Sequence, residues 1–131
     1  MAHLVVGAIA VAAFLVTGQV MGRLDPPVAA MEWAERLLFR SRHIYILAAG
    51  LVNVAIGVHY RLPEGTARKV AATAGSLLVL ASALLLFFAF FAEPMAGHWP
   101  GALSALGLYA VFGGVLLYAI ASLRRGARRT P

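Results

Sequence analysis

Four histidines, His3, His43, His59 and His98, carry most of the chemistry available to this chain. Imidazole ligates haem iron, and together with thioether sulfur it suits Cu(I). Met21 and Met95 would be the thioethers nearest to His43 and His98 once the chain is arranged as argued below. A second group stands in "RSRHIYIL", residues 40–47, where Arg40, Arg42 and His43 precede an apolar run. Long cationic side chains at such a place reach out to lipid phosphates, or form a corner that takes an acidic lipid or another anion. The third group is a stripe. At about 100° per residue, His43, Ile46, Gly50, Asn53, Gly57 and Tyr60 share one helix face. Their spacings alternate three and four, the pattern of a packing seam.

These groups sit in a chain that is 62% hydrophobic and 12% charged over 131 residues. A soluble domain carries roughly 25% charged residues. Four stretches, Leu4–Met21, Ile44–Tyr60, Val70–Ala92 and Ala102–Leu123, contain no Lys, Arg, Asp or Glu. A bilayer core takes about 17–25 helical residues. Hydrocarbon admits only helices or closed barrels, and unbroken apolar runs are not the alternation of a barrel. The expected fold is therefore all-α: an integral membrane four-helix bundle in a single domain, with helices over about 3–22, 43–61, 69–92 and 101–124. Only Met1, Ala2 and His3 precede the first run, without a basic leader, so it is read as a retained helix.

The connections refine this. Between the first two helices, Asp25 can cap a helix with Pro26 at its first position. Val28, Met31, Ala34 and Leu38 then share one face, and Glu32, Arg36 and Arg40 follow at spacings of four suited to ion pairs. This predicts an amphipathic outer-surface helix over about 26–40; the rival reading is an extension of the second transmembrane helix. Pro63 and Gly65 break the chain in the second connection, and Pro94 and Pro100 flank the third, where Trp99 suits the interfacial belt. An even helix number puts both termini on one side. The tail 124–131, with Arg124, Arg125, Arg128 and Arg129, joins Arg61, Arg68 and Lys69 there, against Arg23, Arg36, Arg40 and Arg42 opposite. The excess of basic residues places the termini in the cytoplasm. Arginine in preference to lysine and heavy use of alanine point to a bacterial inner membrane. The net charge of +6 resides at helix ends, so nucleic acid is not an expected partner.

Asn53 lies near the middle of its run, and in hydrocarbon its amide must find a partner: Ser82, Thr17 or a backbone carbonyl. Small-residue stripes at Gly75, Ser82 and Ala89, and at Ser104, Gly107, Ala110, Gly114 and Ala121, offer faces for it to pack on. Asp25, Glu32, Glu35, Glu64 and Glu93 all stand at or beyond helix ends, so nothing acidic is expected within the membrane to couple transport. The absence of cysteine excludes disulfides and thiolate metal sites. There is no HExxH and no nucleophile–base pair at helical spacing, so enzymatic activity is not expected.

With His3 and His59 on one side and His43 and His98 on the other, the layout resembles that of small four-helix membrane cytochromes. His43 and His59 nevertheless stand about 160° and about 24 Å apart on one helix, which does not stack two haems in one bundle. A single haem or copper site at His43 and His98 stays open, as does a small-solute pathway through Asn53. No cofactor is required by the pattern. The leading expectation is a small non-catalytic membrane component that binds lipid or assembles, as a homo-oligomer or with a membrane-protein partner, through the outer-surface helix and the Arg40–Arg42–His43 corner, with Asn53 and Tyr60 as further candidates for ligand or lipid binding.

Overall fold

The computed structural model describes residues 1–59, 61–96 and 101–123. Four helices run in chain order: α1 Ala2–Arg23, α2 Trp33–His59, α3 Thr66–Ala96 and α4 Ala102–Ser122. All four are long and apolar enough to cross a membrane. They begin and end where the breakers stand. Pro26 and Pro27 follow α1, Gly65 at φ 89° precedes α3, and Gly101 is the residue before α4. We call the end holding residue 1 and the end of α4 proximal, and the other end distal.

α2 and α3 form the middle of the bundle. α1 packs along α2 and touches α3, α4 packs along α3 and touches α2 slightly, and α1 and α4 do not meet among the described residues. The small-residue stripes make these contacts. Gly7 and Gly50 face each other between α1 and α2, and Gly75 and Gly114 between α3 and α4. Ile46, Val79, Leu86 and Phe90 fill the spaces between and are almost wholly buried.

Four expectations about the elements are corrected. No separate surface helix covers 26–40. Val28–Ala30 is a single 3-10 turn, and α2 begins at Trp33 and runs unbroken into the apolar stretch. The reason lies in "WAERLLFRSR": it is built of good helix formers, and no glycine or proline occurs from Trp33 until Gly50. A helix starting at Trp33 has nothing to stop it, and the amide of Arg36 already donates to the Glu32 carbonyl at 3.0 Å. Pro27, not Asp25, occupies the cap position of the turn, with no side-chain cap. Nor do Glu32, Arg36 and Arg40 form ion pairs. Arg36 Nη1 reaches the Ala29 carbonyl at 3.4 Å, and the ion pair among the described residues is Arg42–Glu93. α3 is also longer than the apolar run, continuing through Glu93 and a buried Pro94.

Candidate functional site

Three polar clusters interrupt the apolar interior. The distal one joins α2, α3 and α4. Arg42 Nε donates to Glu93 Oε2 at 2.9 Å, with the two side chains 2% and 7% exposed. Arg42 Nη1 also donates to Ser41 Oγ at 3.0 Å. The Glu93 carboxylate then serves α4. Its Oε1 accepts from the Ser104 backbone N–H at 2.8 Å, and its Oε2 accepts from Ser104 Oγ. Ser104 is the third residue of α4, so a carboxylate from α3 satisfies one of the orphan donors of the α4 N-terminus. Gly101 is what permits this: a Cβ there would stand 1.9 Å from the Glu93 carboxyl carbon. Beside the pair, between α2 and α4, lies a groove of about 220 Å³ lined by Arg42, Tyr45, Gly101, Ser104, Ala105, Leu108 and Tyr109.

The second cluster joins α1 and α2. His43 Nδ1 lies 3.0 Å from Thr17 Oγ1. The Thr17 hydroxyl donates back along its own helix, to Ala13 O at 2.9 Å with Phe14 O at 3.1 Å. The hydroxyl has one proton: either Nδ1 donates to Oγ1, or Nδ1 takes that proton in place of the carbonyls, as the ring's tautomer dictates. Phe14 stacks on the imidazole with centroids 4.0 Å apart.

The third cluster, nearer the proximal end, joins α1, α2 and α3. Asn53 is wholly buried. Its Nδ2 donates to Ala49 O at 2.9 Å and to Val79 O at 3.2 Å. That assigns Oδ1 as acceptor for His3 Nδ1 at 2.8 Å. His3 Nε2 then accepts from Ser76 Oγ at 2.6 Å. Ser82 Oγ donates to the same Val79 carbonyl at 2.6 Å. Every polar atom of the Asn53 amide is engaged, so the cluster reads as packing rather than as a solute pathway. Asn53→Ala should destabilise by about 1 kcal/mol for each interhelical bond lost. The His3→Leu/Asn53→Leu pair should recover part of this, since the donor then left over, the Ser76 hydroxyl, can turn to a carbonyl of its own helix. A double-mutant cycle on unfolding in detergent measures the coupling.

The residues singled out from sequence thus separate. Arg40 is exposed and free to reach headgroups, but Arg42 is buried and committed to Glu93. His43, half-buried, turns to α1. Position 42 stands about 160° from 40 and about 100° from 43 around a helix, while 40 and 43 are about 60° apart, so the three do not form one corner. Asn53 faces inward as expected, bonded to backbone carbonyls and also to His3; Thr17 serves His43 instead. Exposed His59 bonds only its own turn, Nδ1 to Ala55 O at 3.0 Å. Tyr60 and His98 lie outside the described residues. Among the described residues, no three His, Asp or Glu gather. Two residues of these clusters are not among the site residues read from sequence. Glu93 was placed at a helix end, although a carboxylate directly after "LLLFFAFFA" and an arginine at the distal end of a neighbouring run are natural partners. His3 is weighed in the sequence only for haem, as a histidine on the side of His59, and nothing there points to Asn53 or Ser76.

Fold and clusters together define an all-α bundle of four membrane-length helices with a buried ion pair at one end. No protein family, curated protein or solved structure matches the chain.

Proposed function

We propose that this chain is a multi-pass protein of the bacterial plasma membrane, with both termini in the cytoplasm and no catalytic activity of its own. It acts as a binding and assembly component that holds the polar end of a membrane amphiphile in the groove between α2 and α4. The observation that carries this reading is the groove itself, with its ion-paired floor. The Arg42–Glu93 pair is neutral as a unit, and both carboxylate oxygens already accept hydrogen bonds. The groove therefore suits a head without net charge. Tyr45, Tyr109 and Ser104 line it with hydroxyl-bearing side chains, and Ala105 and Leu108 with apolar ones. At about 220 Å³ it is smaller than the roughly 300–1,000 Å³ of sites that enclose a whole drug-sized molecule. It fits one part of a ligand whose remainder lies in the bilayer. The excess of basic residues on the tail and second connection supports the orientation.

Ala105→Trp fills the groove without touching the ion pair. Protein purified in mild detergent should retain about one lipid per chain, read by native mass spectrometry, and the variant should lose it. Equal retention by both proteins, or none by the wild type, would sink the reading.

A further inference from the structure

We infer that the groove between α2 and α4 receives the head of a membrane quinone, whose ring carbonyls accept hydrogen bonds from the hydroxyls of Tyr45 and Tyr109. The inference rests on the reading of the groove as an amphiphile site and names the class of head. It starts from the tyrosines. Three are described, Tyr45, Tyr109 and Tyr118. At the proximal end the Tyr118 hydroxyl is bonded to the Arg61 backbone, 3.0 Å from its nitrogen and 3.3 Å from its oxygen. Tyr45 and Tyr109 both line the groove, and neither hydroxyl has a hydrogen-bond partner among the described residues.

Depth makes this costly. Tyr45 is three residues past Arg42 on α2, and Tyr109 is five past Ser104 on α4. They start about 4.5 Å and about 7.5 Å closer to the proximal end than the ion pair does. Both helices begin at the distal end, so both rings lean back toward the ion pair, from the two walls of one groove. An O–H in hydrocarbon needs an acceptor. Glu93 does not supply it: it is absent from the lining, and its oxygens already accept from Arg42 and Ser104. The groove thus presents two donors, no net charge, and apolar walls at Ala105 and Leu108. A head that offers acceptors, carries no charge and brings no hydrogen of its own complements this. A quinone ring is such a head: two carbonyls on a planar ring with an apolar tail. An alcohol head would bring its own hydrogen to a site already short of acceptors, and a phospholipid head would bring charge to a pair that is already neutral. Size agrees. An apolar cavity of about 150 Å³ takes a benzene ring, and about 220 Å³ takes such a ring with its oxygens and short substituents. Tyr109 is 76% exposed, so that wall opens to the acyl chains, where the tail lies.

The test is calorimetric titration of the detergent-solubilised full chain with decylubiquinone, with protein-free micelles as the blank, alongside native mass spectrometry of what the protein retains. One equivalent should bind. Tyr45→Phe and Tyr109→Phe keep the rings and remove only the hydroxyls. Each should weaken binding about fivefold, and the two together at least about tenfold. Tyr118→Phe, remote at the proximal end, should bind as the wild type does. Circular dichroism checks that each variant is folded. The inference is overturned if a folded double variant binds decylubiquinone as tightly as the wild type. It is overturned, with the amphiphile reading kept, if the wild type retains a phospholipid that Ala105→Trp loses but takes up no quinone. If the wild type binds neither quinone nor lipid, both fall.

Discussion

Leucine in place of Glu93, with Arg42 left intact, is expected to destabilise the bundle by about 3–5 kcal/mol, the cost of removing one partner of a buried ion pair. Arg42 is only 2% exposed, so in this variant its charge stays in a largely dry site. The same substitution strips the acceptor from the Ser104 N–H and hydroxyl, so α4 loses its N-terminal partner as well. The reverse change should be milder. In Arg42→Leu, Glu93 still accepts two bonds from Ser104 and can take up a proton to become neutral. Removing both charges, as Arg42→Leu with Glu93→Leu, should restore most of the loss, because an apolar pair carries no desolvation penalty. What remains should be the lost cap, about 1 kcal/mol. Helix content followed through denaturation in mixed micelles gives all four corners of the cycle. A single Glu93→Leu protein as stable as the wild type would show that the pair does not hold the distal end.

The contrast between Asn53 and this pair shows what a sequence of this kind discloses. A single amide in the middle of a long apolar run has one sensible orientation, toward the other helices, and the wholly buried Asn53 takes it. The runs are legible for the same reason: hydrocarbon sets their length, and the small-residue stripes mark their contact faces. Arg42 and Glu93 each stand at the edge of a run, where a charge that snorkels and a charge that pairs look alike in one dimension. Deciding between them requires the relative depth of α2 and α3, which no single-helix pattern contains. The start of α2 was obscured similarly. Glu35, Arg36, Arg40 and Arg42 make residues 33–42 look like surface, while the backbone continues as one helix through them. His3 shows the remaining gap. Its role depends on Ser76, 73 residues away, and neither residue's local sequence points to the other.

Two adjacent glycines in α4 offer an internally controlled prediction. A Cβ on Gly75 would stand 2.6 Å from the Gly114 carbonyl oxygen and 2.8 Å from the Tyr118 amide nitrogen; a Cβ on Gly114 would stand 2.7 Å from the Gly75 oxygen. Those neighbours are backbone atoms, so relief requires α3 and α4 to move apart as rigid rods. Gly75→Ala or Gly114→Ala should therefore destabilise by about 1–3 kcal/mol, and valine at either position by more. The proximal closure should loosen with it, because Arg68 Nε donates to Ala121 O at 2.9 Å and Tyr118 bonds the Arg61 backbone only while α4 lies against α3. Gly113, one residue away, has nothing within 4 Å of a built Cβ. Gly113→Ala should be neutral or gain up to about 1 kcal/mol from helix propensity alone. Unfolding midpoints of the two alanine variants, measured side by side, give the answer. If Gly113→Ala proves as costly as Gly114→Ala, the loss belongs to glycine's backbone and not to the α3–α4 seam, and the close packing described for these helices is wrong.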